Sequence, residues 1–136
     1  TEIKTENSAL SDLQINIVGQ LPTIKLPKKL AIDLFSELLK NAFTYNHSTK
    51  KEVTISATEE ADEITILITD NGFGFFVKDL TKPFKLFFTE KTKTKVNSPG
   101  YGLTYAKKII ESIHGTLSIL KSSKEGTTLK LTYPKV

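Results

Sequence analysis

The sequence predicts an α+β fold, a two-layer α/β sandwich in which a mixed, mostly antiparallel sheet packs on helices. Three observations point there. Two segments repeat apolar residues at helical spacing, several short segments alternate apolar with polar residues, and most of the latter fall in pairs joined by short polar turns. Paired strands of that kind are antiparallel neighbours, and helices that share an apolar face need a sheet to cover it.

The elements follow in order. Residues 1–12 are polar and read as a tail or the end of a preceding segment, with one domain over 13–136. Ile15, Ile17 and Val18 predict a strand that Gly19 breaks, and Leu21 to Pro27 reads as an extended connection. Leu30, Leu34, Leu38 and Ala42 then recur every four residues, flanked by Ile32, Phe35, Leu39 and Phe43, which predicts a helix over about residues 28–45. Val53 to Ala57 and Ile64 to Thr69 form a predicted hairpin across the charged turn Glu59 to Glu63. Phe73 to Pro99 is loop-rich, with one helical turn expected near Val77 to Phe84. A second helix over 101–114 buries Leu103, Ala106, Ile109, Ile110 and Ile113, and Gly115 is its expected stop. Thr116 to Leu120 and Thr127 to Tyr133 close the chain as a second hairpin.

Composition narrows the function classes. The chain has 136 residues, 38% of them hydrophobic and 25% charged, close to the average of soluble globular domains. Without cysteine there is no disulfide framework, no Cys-ligated zinc and no thiol nucleophile, which fits a reducing, cytoplasmic setting. No apolar run approaches the roughly 20 residues that cross a bilayer, so no membrane contact is expected of this segment. With no methionine anywhere, the sequence reads as a piece of a longer protein. The net charge of +4 is uneven: Lys78, Lys82, Lys85, Lys91, Lys93 and Lys95 crowd one stretch. No aromatic and basic interleaving accompanies them, so nucleic acid is not the expected partner. Their place between two glycine motifs favours a cover over polyphosphate.

Three motifs carry chemistry. Glu37 and Asn41 lie one helical turn apart and share a face beside the apolar stripe. Asn offers an uncharged oxygen to a hydrated magnesium ion, and Glu can accept a proton from water or hold a ligand water. Asp70 ends an apolar strand and precedes Gly72 and Gly74; a carboxylate there needs donors, and an adenine amino group is one. Gly100-Tyr-Gly102-Leu103 opens the second helix, where free backbone N–H groups bind phosphate oxygens. This is neither a Walker A loop nor a Rossmann fingerprint.

In this order the motifs resemble the GHKL ATP-binding (Bergerat) fold, in particular the catalytic domain of sensor histidine kinases, from about Leu13 to Pro134. Glu37-Leu-Leu-Lys-Asn41-Ala resembles the N box, and Asp70-Asn-Gly-Phe-Gly74 the first glycine box. Lys82-Pro-Phe84 through Phe88 to Lys91 resembles the phenylalanine box of an ATP lid, and Gly100-Tyr-Gly102-Leu103 the second glycine box. The resemblance implies about three helices and a flexible lid over about 75–99. It implies ATP and Mg²⁺ as ligands, with Asn41 holding Mg²⁺ together with phosphates and water. Asp70 would read adenine, with Tyr45 packed on the base and Thr127 supporting that end. Phe84 and Phe88 would anchor the lid, Lys91 would reach a phosphate, and Gly100, Gly102 and Leu103 would line the nucleotide. Glu37, Asn41 and Lys91 are the implied catalytic residues.

The implied reaction is transfer of the γ-phosphate to a histidine on a separate dimerisation domain, with a response regulator engaged indirectly and the isolated domain monomeric. Neither His47 nor His114 has a phosphoacceptor context. Two departures stand out: Thr44 replaces a basic residue common three places after the Asn, and Thr104 replaces the last glycine of the second glycine box. Alternatives are a water-directed ATPase of the gyrase, mismatch-repair or chaperone type, in which Glu37 would activate water, an anti-sigma serine kinase, and a non-catalytic nucleotide-sensing or interaction module.

Overall fold

A computed structural model describes residues 12–75, 77–85 and 102–135 of the chain. Strand β1 (Leu13–Val18) leads through a coil connection to helix α1 (Lys28–Thr44). Strands β2 (Lys51–Glu59) and β3 (Glu63–Asp70) follow, then a 3-10 turn (Lys82–Phe84), helix α2 (Gly102–Glu111), and strands β4 (Thr116–Ser123) and β5 (Gly126–Pro134). The five strands form one sheet in the order β1-β2-β3-β5-β4. The two hairpins are antiparallel, and so is the β3–β5 pair at the centre. β1 instead runs parallel to β2. Parallel neighbours need a crossover long enough to return the chain, and α1 supplies it. The expected two-layer sandwich with a mixed sheet is the fold observed.

Strand register builds the core. Ile55, Ile68, Leu129 and Ile119 lie side by side across four strands, and Ala57, Ile66, Leu131 and Leu117 form the next row. Leu34, Leu38, Leu39 and Ala42 of α1, with Ala106, Ile109 and Ile110 of α2, cover these rows and are buried with them. The opposite sheet face is largely polar: Thr54, Thr69 and Thr128 align across it, as do Thr58, Thr65, Thr132 and Thr116. The hydroxyls of Thr69 and Thr128 are hydrogen-bonded, as are those of Thr116 and Thr132. Threonine suits that face because its branched Cβ favours strands and its hydroxyl finds partners there. Among the described residues no helix is long and apolar enough to cross a membrane.

The structure sharpens the sequence reading at two places and leaves a third outside the described residues. The helical turn expected near Val77 to Phe84 is confined to Lys82–Phe84, with Pro83 buried. Most of the expected lid, including Phe88 and Lys91, lies outside the described residues, so two α-helices and one 3-10 turn are what those residues show. The stop of α2 is built on His114 rather than on Gly115. His114 adopts a left-handed backbone (φ 63°), its N–H donates to the Glu111 carbonyl (3.0 Å), and the Gly115 N–H donates to the Ile110 carbonyl (2.9 Å). Together these are the two bonds of a Schellman closure. Gly115 is required for space, because a methyl group there would lie 2.5 Å from both Ile110 Cγ1 and the Thr132 carbonyl oxygen.

This assignment separates two neighbouring substitutions. Gly115→Ala is expected to destabilise the domain by about 1–3 kcal/mol through overpacking. His114→Gly relieves a left-handed strain of about 1–2 kcal/mol, partly offset by a more flexible unfolded chain, and is expected to be neutral or mildly stabilising. Urea denaturation of the two variants checks the assignment, and equal losses in both would contradict it.

Candidate functional site

The site begins with the alternation of β3. Ile64, Ile66 and Ile68 point into the core, and the same period carries Asp70 inward after them. Asp70 is only 7% exposed. Its Oδ1 accepts hydrogen bonds from the Gly72 N–H (2.9 Å) and the Thr127 N–H (3.1 Å). Neither bond uses Oδ2. Desolvation dominates over these two donors and pushes the carboxyl pKa up to about 6.

The segment after Asp70 is threaded through narrow gaps. A methyl group at Gly72 would fall 2.0 Å from the Tyr45 carbonyl oxygen, and one at Gly74 (φ 77°) would fall 2.2 Å from that of Ser123. Between them Phe73 donates its N–H to the Tyr45 carbonyl (2.9 Å). Asn71 ties the same segment to the loop after α1. Its Oδ1 accepts from Asn46 Nδ2 (2.7 Å) and the Glu52 N–H (2.9 Å), and its Nδ2 donates to the Lys50 carbonyl (2.9 Å).

Tyr45 caps α1, with its N–H on the Asn41 carbonyl (3.1 Å). Its ring is buried against Phe75 (centroids 4.8 Å apart) and Phe73 (5.9 Å), and His47 adds its ring to Phe73 at 4.7 Å. Phe75 in turn donates its N–H to the Ser122 hydroxyl (2.8 Å), which bonds the Thr127 hydroxyl (2.9 Å). Thr127 thus serves the Asp70 carboxylate through its backbone and the aromatic cluster through its side chain. Sequence reasoning missed Phe75, Ser122 and Asn46. Ser122 read only as part of a hairpin turn, and nothing local marks Asn46 as a partner of Asn71.

A second group sits on α1. Glu37, Lys40, Asn41 and Thr44 are spaced i, i+3, i+4, i+7 and form one stripe. Asn41 is buried, and its Nδ2 has no hydrogen-bond partner among the described residues. Glu37 Oε2 lies 2.5 Å from where a methyl on Gly102 would stand, so this carboxylate abuts the first residue of α2. Lys40 Nζ lies 3.7 Å from Glu37 Oε1. Tyr105 donates its hydroxyl to Asp33 Oδ2 (2.7 Å) and joins the two helices on their outer side.

The structure thus brings Tyr45, Asp70, Gly72, Gly74 and Thr127 together, with Asn41 one turn before Tyr45 on α1 and Glu37 meeting Gly102. Leu103 is buried among the core residues. Phe84 is half-buried, with Lys107 Nζ 5.5 Å from its ring centroid, and its carbonyl accepts the Thr104 hydroxyl (2.6 Å). Gly100, with Phe88 and Lys91, lies outside the described residues.

A buried carboxylate with one oxygen left over and an aromatic cluster lie around the turn after β3, and an amide unsatisfied among the described residues and a contact with the start of a second helix lie along α1. Residues 28–136 match the family described as histidine kinase-, DNA gyrase B-, and HSP90-like ATPase. The chain belongs to this family, the GHKL superfamily, and its likeness lies with the catalytic domain of sensor histidine kinases. The heme sensor protein HssS of Staphylococcus saprophyticus is 31% identical over 136 residues, which cover 98% of this chain and 29% of HssS. The chain therefore spans less than a third of that relative's length. The structure of the mycobacterial sensor histidine kinase MprB superposes with a TM-score of 0.80 at 17% identity, over 98% of this chain and 88% of that one. Full-length ShkA, solved in complex with AMPPNP, gives 0.74 at 15% identity, over 98% of this chain and 28% of ShkA.

The raised pKa of Asp70 fixes the sign of a stability effect. The folded protein holds the Asp70 proton up to about pH 6, whereas the unfolded chain releases it near 3.8. Stability from this group is therefore fully present below about 3.8 and is lost as pH rises through 6. Asp70→Asn keeps the Oδ1 acceptor and removes the buried charge. It is expected to raise unfolding free energy at pH 7.5 by roughly 1–3 kcal/mol, an advantage that fades as pH falls toward 4. Denaturant melts of both proteins across this range check it; a destabilised variant at pH 7.5 would contradict the assigned cause.

Proposed function

We propose that this chain is the ATP-binding catalytic domain of a two-component sensor histidine kinase, which presents the γ-phosphate to a histidine on a separate dimerisation domain. The observation that carries the reading is the buried Asp70 carboxylate. The protein's own backbone takes one oxygen and leaves the other for an outside donor. The exocyclic amino group of adenine is such a donor, and Tyr45, Phe73 and Phe75 offer apolar surface beside it. Family membership and the likeness to sensor kinases support the same reading.

The residues present fit a magnesium ion. Asn41 is a buried amide whose Nδ2 has no hydrogen-bond partner among the described residues, so turning its oxygen toward a cation breaks no hydrogen bond of that nitrogen. Among the described residues no three His, Asp or Glu converge. An ion here would draw its remaining ligands from phosphates and water, as magnesium commonly does. When bound, Mg²⁺ offsets phosphate charge. The chain's own residues do the rest. Asp70 fixes the base, Gly102 at the start of α2 offers backbone N–H to phosphate oxygens, and Lys91 would reach the terminal phosphate. Catalysis then consists of positioning and charge stabilisation while an external histidine nitrogen attacks in line. A domain over 13–136, a cytoplasmic setting, a monomeric isolated form and indirect coupling to a response regulator belong to this proposal.

Glu37 bears on the second reading, a water-directed ATPase. Its carboxylate is packed on Gly102 at the start of α2, which favours a positioning role over that of a general base.

Calorimetric titration with ADP and a non-hydrolysable ATP analogue tests the pocket. Magnesium-assisted binding is expected, with Asp70→Asn weakening both nucleotides at least tenfold, as loss of a charged acceptor implies. Asn41→Ala should remove mainly the magnesium dependence. Transfer of label from ATP to a supplied phosphoacceptor domain then separates the kinase from an ATPase, which would release phosphate without the acceptor. Absence of binding at millimolar nucleotide would favour the interaction module instead.

A further inference from the structure

We infer that Lys40 is a second phosphate-facing cation of this pocket: it offsets Glu37 beside the start of α2 and engages the terminal phosphates of the bound nucleotide. The inference rests on the ATP reading above and adds a residue that it does not include.

Three observations place the charge. The first is Glu37, whose Oε2 abuts Gly102 and so brings a carboxylate to the point where α2 begins. An incoming polyanion at that helix start meets this like charge at close range, which disfavours binding unless a cation intervenes. The second is Lys40, 3.7 Å from the other oxygen of the same carboxylate. Its side chain is half-exposed, so the ammonium can swing from Glu37 to a ligand without being drawn out of a buried site. The third is Asn41, next to Lys40 in sequence and one turn from Glu37 on the same stripe, buried and with an Nδ2 that has no hydrogen-bond partner among the described residues. An unsatisfied amide and a loosely paired lysine on one helical stripe are what a site prepared for an outside polar group shows. Lys107 on α2 is committed elsewhere, 3.5 Å from Glu111 Oε2 and over the ring of Phe84.

The stripe also explains how position 44 bears on the same space. Thr44 lies one turn beyond Lys40 on that face, so a lysine there would extend its ammonium over much the same volume. This chain has threonine at 44 and a lysine at 40, and the geometry makes the two positions interchangeable as sources of one charge.

The experiment compares the unmodified protein with Lys40→Ala, Lys40→Arg, and the double variant Lys40→Ala with Thr44→Lys. Each is titrated with a non-hydrolysable ATP analogue and, by NMR shift perturbation, with adenosine. Lys40→Ala should weaken the triphosphate roughly fivefold at low salt and leave adenosine unchanged. Lys40→Arg and the double variant should both restore triphosphate binding. Unchanged triphosphate affinity in Lys40→Ala, an equal loss for adenosine, or no rescue by Thr44→Lys would each overturn the inference. If the unmodified protein binds neither ligand, the ATP reading itself fails and this inference with it, a result distinct from the other three.

Discussion

The alternation of β3 forces a carboxylate into the core, and much of the structure around it follows from that one constraint. Side chains of a strand alternate faces, so the run that buries Ile64, Ile66 and Ile68 also buries Asp70. An unpartnered carboxylate there would be very costly. The remedy binds distant parts of the chain together. Gly72 must turn back at once to donate its N–H, which brings it against the Tyr45 carbonyl where only hydrogen fits. β5 must run in register with β3 so that Thr127, just before the Thr128 that pairs with Thr69, presents its own N–H. The end of α1, the turn after β3 and the start of β5 are thus fixed by one oxygen atom.

The remedy is incomplete, and the incompleteness is informative. Two backbone donors lower the carboxyl pKa, yet desolvation raises it more, and the group settles at about 6. A domain selected only for stability would place an amide or a hydrophobic residue at this position. Retaining the charge sacrifices stability in the free protein and keeps an acceptor ready for a donor from outside, the usual conflict between a stable fold and a prepared site. The Asn41 amide on α1 repeats the pattern, as a buried polar side chain not fully satisfied among the described residues.

What the sequence shows and what it hides divide by range. Leu34, Leu38 and Ala42, or Ala106, Ile109 and Ile110, announce their helices because helical periodicity is local. Asp70 is legible as the inward-facing end of β3 for the same reason, since strand alternation is local too, although Asp-Asn-Gly by itself reads as an ordinary turn. Which strand makes the sheet mixed is not legible, since the parallel pairing of β1 depends on which way α1 returns the chain. Nor is the role of Ser122, which reads as a turn residue and yet holds both Phe75 and Thr127. The αL residue of the α2 stop was read one place late, because glycine is the habitual occupant and His114 takes the conformation instead. Thr104 reads only as a departure from a glycine motif; in the structure its hydroxyl secures the carbonyl of Phe84 and thereby the 3-10 turn to α2.

These pieces make α1 the ruler of the site. At its C-terminal end Tyr45 touches the glycine turn beside Asp70, and two turns earlier Glu37 touches the start of α2. A helix rises about 1.5 Å per residue, so these two contacts are held roughly 12 Å apart by a rod anchored through Leu34, Leu38 and Ala42. The Asp70 end is rigid because strands and buried hydrogen bonds build it. The Glu37 end is made where two helices meet, with a half-exposed Lys40 that can exchange partners. In the proposed reading a nucleotide must satisfy both at once, so its length is matched against α1 rather than against a loop. In that reading a change that shifts α2 along α1 is expected to alter phosphate recognition more than the Asp70 end, because Tyr45 and the turn after β3 sit two helical turns from the contact between Glu37 and Gly102.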